Sequence, residues 1–214
     1  MELWNFETLK LLNTMKKTFF VWPILLCVAF AFRTPTPLPI GAALPNPDKK
    51  MKDISGKEIS FKDETKKNGL LVMFSCNTCP IVHRYQSRTI EVCKYAQQKQ
   101  IGVILLNSNE GGRDDGDSYD DMKEYARGQS YNWPYVVDDN SVMADAFGAT
   151  RTPECFLFNA DNKLVYHGAI DNNESGPDEV TRKHLMVAMD EMLGGKNISV
   201  TTTRSVGCTI KRSH

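Results

Sequence analysis

The chain has 214 residues, 41% hydrophobic and 24% charged, an ordinary globular composition with room for one sizeable domain and flanking segments. Its 26 basic and 26 acidic side chains cancel and no face-length run of Lys or Arg stands out, which argues against a nucleic-acid partner and against an electrostatic membrane footprint. Six cysteines, at positions 27, 76, 79, 93, 155 and 208, are too few and too scattered for a disulfide-scaffold miniprotein. One pair, Cys76 and Cys79, has a motif spacing.

At the N-terminus, Met15-Lys16-Lys17 followed by the apolar stretch 19–31 has the charged and apolar regions of a secretory signal. Ala29-Phe30-Ala31 supplies small residues at the A-x-A spacing, so cleavage is predicted before Phe32. Residues 1–31 are thus read as an N-terminal extension and signal peptide, with either Met1 or Met15 as the start. A retained membrane anchor is the alternative, although the run is shorter than the roughly 18 to 20 apolar residues a span needs and contains Pro23. Leu26 stands before Cys27 where a lipoprotein signal wants a small residue. Export implies an oxidising compartment, where a free dithiol needs a dedicated electron donor or acts as an oxidant.

Residues 32–48 carry Pro35, Pro37, Pro39, Pro45 and Pro47, which fix φ repeatedly and remove amide donors, as in an extended linker. The folded domain is expected from Lys49 to about residue 195, followed by a C-terminal tail, 196–214. Ile54, Ile59 and Phe61 around Ser55-Gly56-Lys57 predict a short hairpin. The run 70–74, Leu-Leu-Val-Met-Phe, lacks alternation, as in a strand buried on both faces. From Pro80 to about Gln100, Ile81, Tyr85, Ile90, Val92, Cys93 and Ala96 recur at roughly helical spacing, with Pro80 in the first turn. A second buried strand is expected at 101–106, a Gly/Asp-rich loop at 110–118, and a helix at 119–127. A short strand at 135–137, a helical turn at 142–147, and strands at 155–158 and 164–168 joined by a hairpin follow. An amphipathic helix at 178–193, stopped by Gly194-Gly195, closes the domain. This order implies an α/β fold, a mixed sheet with helices on both faces.

Strand, then Ser75-Cys76-Asn77-Thr78-Cys79-Pro80, then helix is an arrangement that activates a thiol. Unpaired N–H groups and the positive dipole end of the helix favour a thiolate at Cys76, the expected nucleophile. Cys79, one turn further, is expected to close a disulfide with Cys76 and to resolve a mixed disulfide with substrate. Half of a zinc knuckle and a structural disulfide are the competing readings. Zinc needs four ligands, and neither a second CxxC nor an HxxxH pair is present.

These residues, together with Ala146-Phe147-Gly148-Ala149-Thr150-Arg151-Thr152-Pro153 and the strand Phe156-Leu157-Phe158, resemble the thioredoxin-like superfamily near its redoxin (AhpC/TSA-type) branch, over about residues 50–195. The resemblance implies a cis Pro153 packed opposite the CxxC and a Thr152 backbone offered to an extended substrate segment. It implies a thiol–disulfide oxidoreductase without a cofactor, acting on protein or small-molecule disulfides with an external thiol electron donor. The tail Gly207-Cys208-Thr209-Ile210-Lys211 is similar to a G-C-x-I-K ending of uncharacterised proteins of this branch.

Ser75 stands where thioredoxins have Trp, and residues 70–74 hold no carboxylate, so the buried acid of thioredoxin is missing there. The Asn77-Thr78 spacer leaves open whether the centre reduces or oxidises. A peroxiredoxin-type peroxidase is the alternative enzyme, but Met73 stands three residues ahead of Cys76 where that pattern has Thr. A thioredoxin-fold copper chaperone using Cys76, Cys79 and His83, and a redox-dead interaction module, are further readings. Glu154 is expected as a solvated strand-start residue or a proton acceptor for the dithiol, and His83 as a surface residue or a tuner of a thiolate. Cys93 and Cys155 are expected in the core. Cys208, in a flexible tail, is either a third redox cysteine or one end of a structural bridge. Trp133-Pro134-Tyr135 is placed near the loop after the second helix, and residues 107–116 at the rim of the site.

Overall fold

The computed structural model describes residues 36–213. The signal-like segment, its cleavage point and Cys27 lie outside the described residues. Among the described residues no helix is long and apolar enough to cross a membrane.

Among the described residues the first elements are a hairpin of β1 (Met51–Lys52) and β2 (Glu58–Ile59), then a single-turn helix α1 (Phe61–Glu64). Next come β3 (Leu70–Ser75), α2 (Pro80–Gln98), β4 (Gly102–Asn107), α3 (Tyr119–Gly128), β5 (Tyr135–Val137) and α4 (Val142–Phe147). Strands β6 (Arg151–Thr152), β7 (Glu154–Phe158) and β8 (Leu164–Gly168), helix α5 (His184–Leu193) and a last strand β9 (Cys208–Thr209) complete it. The central sheet has the order β5-β4-β3-β7-β8, with β3, β4 and β5 parallel and β7 and β8 antiparallel additions. It is the mixed sheet that the order of predicted elements implies.

The continuous apolar run of β3 is explained by what lies on each side. Leu71 and Met73 face one core with Val92, Ala96, Met122 and Leu185, while Leu70, Val72 and Phe74 face another with Phe61, Met143, Phe147 and Phe156. Neither face meets water, so no polar alternation is tolerated. On the second face Phe147 sits edge-on to Phe74, Phe156 and Phe158 at centroid distances of 5.3, 5.1 and 5.8 Å. Helix α4 ends on Gly148, whose left-handed φ of +63° suits a residue without Cβ.

Two segments differ from their expected form. The described part of the proline-rich stretch, 36–48, turns at Pro39–Ala42 and again from Asn46, and it is anchored: Leu38 N–H donates to Phe147 O at 2.9 Å, Gly41 N–H to Leu164 O at 2.8 Å, and Leu44 is buried. The helix expected at 178–193 begins only at His184. Asn172 Oδ1 takes the Thr181 and Arg182 amides at 3.1 and 2.9 Å, holding residues 180–183 in an extended loop that a helix would need to reclaim.

Candidate active site

Register places the site. Strand β3 pairs with β4 so that Ser75 lies beside Asn107, and with β7 so that Phe74 lies opposite Glu154. The residues just past the carboxyl end of β3, Cys76 to Cys79, therefore meet the turn 107–117 on one side and Thr152-Pro153 on the other. The Thr152–Pro153 peptide is cis, as the resemblance implies.

Helix α2 starts at Pro80 with Cys79 as its N-cap, so Cys76 lies in the preceding loop rather than on the helix. The residue is 1% exposed, and its sulfur lies 3.2 Å from Thr152 Oγ1. Burial pushes the Cys76 thiol above its ordinary range, and the charge of Asp117 adds to that push. The Thr152 hydroxyl and the amides of Cys79 and Thr78 favour the thiolate but do not outweigh the loss of water. The amides at the helix start thus act on Cys76 in the expected direction, and burial opposes them.

Cys79 is bonded to Cys208, with Cα atoms 5.9 Å apart, while Cys76, Cys93 and Cys155 are free. The structure thus holds Cys79 bridged to the tail, with Cys76 a free thiol beside it. The two motif sulfurs still share Thr152: Cys76 meets its hydroxyl, and Cys79 Sγ lies 3.4 Å from its carbonyl oxygen. The tail is docked rather than free. Strand β9 pairs antiparallel with β6, setting Cys208 opposite Thr152, and Ile210 is buried. The backbone edge expected to receive an extended substrate is occupied here by the chain's own residues.

The spacer rests on a polar raft centred on Asp117, just beyond the residues 107–116 expected at the rim. Asp117, fully buried, accepts from Asn77 N at 2.7 Å, Thr78 Oγ1 at 2.9 Å, and the side-chain amides of Asn107 and Asn109 at 2.9 Å each. Tyr135 Oη donates to Asn77 Oδ1 at 3.0 Å. A buried acid therefore does reach the motif, from the loop before α3 instead of from β3. The signal available in sequence was the Gly-Asp-Ser run ahead of α3, with Ser118 as its N-cap. His83 Nε2 lies 2.5 Å from Asn77 O and its ring stacks on Tyr125, so it faces the spacer backbone rather than a sulfur.

Glu154 is neither solvated nor directed at the dithiol. It is 4% exposed, bonded to His167 Nε2 at 2.7 Å, and accepts the Thr150 and Arg151 amides at 2.8 and 3.1 Å. It holds the loop that presents Thr152 and Pro153. Cys93 and Cys155 lie in the core as expected, their thiols pushed up by burial alone or by burial first. Among the described residues no group of three His, Cys, Asp or Glu is placed to hold a metal. A cavity of about 450 Å³ beside Lys66, Gln97, Ile101 and Trp133 opens by the amino ends of β3 and β4, away from the cysteines.

The model of the AhpC/TSA family matches residues 41–167. No curated protein matches the chain. Among solved structures, an uncharacterized conserved protein from Geobacillus kaustophilus is 28% identical with a TM-score of 0.76, covering 82% of this chain and 93% of its own. A hypothetical protein from Sinorhizobium meliloti 1021 is 27% identical with a TM-score of 0.75, covering 83% of this chain and 97% of its own. A cysteine-to-serine mutant of PrxQ from Xylella fastidiosa, 14% identical with a TM-score of 0.54 over 75% of this chain and 98% of its own, shares the thioredoxin-like fold.

Proposed function

Because the chain belongs to the AhpC/TSA family, whose members are thiol redox proteins, we propose that it is a thiol–disulfide oxidoreductase with Cys76 as nucleophile and Cys79 as resolving cysteine. The observation that carries this reading is the placement of both sulfurs on Thr152, beside the cis Pro153, with two backbone amides and a hydroxyl directed at Cys76. In the reduced protein, the Cys76 thiolate attacks one sulfur of a substrate disulfide, forming a mixed disulfide and releasing the first substrate thiolate. Cys79 then attacks Cys76 Sγ, releases the second thiolate and leaves a Cys76–Cys79 disulfide. Two electrons from an external dithiol restore the pair. Substrates are proteins or small molecules carrying disulfides.

The signal-like residues 15–31 support an exported location. Residues 49–195 would then be the exported thioredoxin-like domain, carrying 32–48 and 196–214 as flanking segments.

A peroxidase is the second reading, favoured by the Thr152 hydroxyl at Cys76, which occupies the role that Met73 cannot fill. One experiment separates the two. Insulin-disulfide reduction and peroxide consumption are measured for the mature protein, Cys76→Ser and Cys79→Ser. The proposal expects Cys76→Ser to lose about 100-fold or more in insulin reduction and Cys79→Ser to accumulate mixed disulfides. Wild-type insulin reduction in the Cys76→Ser protein overturns it, and peroxide consumption without insulin reduction replaces it with the peroxidase.

A further inference from the structure

Resting on that reading, we propose that Cys208 is a third redox cysteine, which carries the disulfide from the buried pair to the surface for reduction by the external dithiol. Three observations meet here. Cys76 and Cys79 are 1% and 2% exposed, whereas Cys208, bonded to Cys79, is only partly buried. The thiol left free in the motif is Cys76, the nucleophile, so the bridged state is one in which the pair has already passed its oxidation to the tail. Finally, the tail is seated by bonds besides the bridge. Ile210 N–H donates to Thr150 O at 3.0 Å, Lys211 N–H to Asn109 Oδ1 at 2.9 Å, and Arg212 Nε to Asp145 Oδ1 at 2.8 Å. In the bridged state these bonds hold Cys208 against the pair; with the bridge open the tail lifts from the β6 edge to admit a substrate disulfide to Cys76, then reseats to bring Cys208 to Cys79.

The exchange balances without an added oxidant. After substrate reduction leaves a Cys76–Cys79 disulfide, the Cys208 thiolate attacks Cys79 Sγ. The Cys79–Cys208 bond forms, the Cys76–Cys79 bond breaks, and Cys76 leaves with the electron pair and takes up a proton. One disulfide and one thiol stand on each side, so the step is redox-neutral. A donor thiolate next attacks the partly exposed Cys208 sulfur and releases Cys79. The second donor thiol then resolves that mixed disulfide, freeing Cys208 and giving the donor disulfide.

Gly207 makes the approach possible. A Cβ at this position would lie 2.1 Å from Thr152 O and 3.2 Å from Pro153 N, so only glycine lets the tail strand lie flat on the β6 edge.

The test follows the disulfides of the whole mature protein. Reduced protein is oxidised by one equivalent of insulin disulfide, quenched with acid at intervals, alkylated and mapped by mass spectrometry. Dithiothreitol reduction of the oxidised protein is timed in parallel. The Cys76–Cys79 bridge is expected first and the Cys79–Cys208 bridge after it. Cys208→Ser is expected to stop at Cys76–Cys79 and to be re-reduced about tenfold more slowly. Gly207→Ala, which retains all three cysteines, is expected to shift the oxidised population toward Cys76–Cys79. The proposal is overturned if wild-type protein never shows a Cys76–Cys79 bridge, if Cys79–Cys208 yields to dithiothreitol only on unfolding, or if Cys208→Ser is re-reduced at the wild-type rate. An active Cys76→Ser protein overturns the underlying oxidoreductase reading instead.

Discussion

Asp117 is a fully buried carboxylate that accepts from four donors, two of which belong to the Asn77-Thr78 spacer. Its negative charge raises the Cys76 thiol on top of the larger effect of burial. Removing the charge while keeping the shape, as in Asp117→Asn, is expected to lower the Cys76 midpoint, read from the pH dependence of its alkylation with the Cys79–Cys208 bridge intact. The same change leaves buried amides facing an amide, at a cost of about 1–3 kcal/mol in urea unfolding. An unchanged alkylation midpoint would separate Asp117 from the thiol. The sign of the wild-type pH dependence follows from the direction of the shift. The folded protein holds the Cys76 proton more tightly than the unfolded chain does. That contribution to stability is fully present below the unfolded thiol range and is lost as pH rises through the folded value.

At the scale of elements, the site depends on where helices begin. Helix α3 is started by a capping box in which Ser118 Oγ accepts the Asp121 amide at 3.1 Å and Asp121 takes the Ser118 amide at 3.0 Å. Because Asp117 immediately precedes this cap, the box fixes the acid as well as the helix. Ser118→Ala is expected to cost about 1 kcal/mol in thermal or urea unfolding. It should also move the Cys76 alkylation midpoint in the direction of Asp117→Asn, since the loop loosens in both. A stability loss with no effect on the thiol would mean that the raft holds Asp117 unaided. Helix α2 is built differently: Pro80 in its first turn surrenders an amide that had no partner, and Cys79 caps it without a side-chain bond, leaving its sulfur for Cys208.

For the molecule as a whole, the bridge from Cys79 to Cys208 spans 129 residues and ties the tail to the centre of the sheet. Closing so long a loop restricts the unfolded chain, and reduction is expected to lower stability by about 2–5 kcal/mol in urea unfolding with and without dithiothreitol. No change in the unfolding midpoint would mean that the tail's bonds to Thr150, Asn109 and Asp145 already carry its docking. The same bonds fold the chain's end over the edge of β6, so that both flanks of the domain, the proline-rich segment and the tail, become part of its surface.

Much of this was readable in the residues themselves. The two-faced burial of residues 70–74, the helical spacing after Pro80, the hairpin at 154–168 and the CxxC at a strand-to-helix junction are local patterns, set by side-chain hydrophobicity and backbone chemistry within a few residues. Thr152-Pro153 beside the motif was reachable through family resemblance. The partners of the site were not. Asp117 lies 40 residues from Asn77, Glu154 finds His167 across a hairpin, and Cys208 reaches Cys79 only because β9 adds to β6. Spacing cannot announce such pairs. A carboxylate or thiol near Gly, Ser or Thr has the same local signature in solvent as in a core, and only packing decides which donor, and which sulfur, it meets.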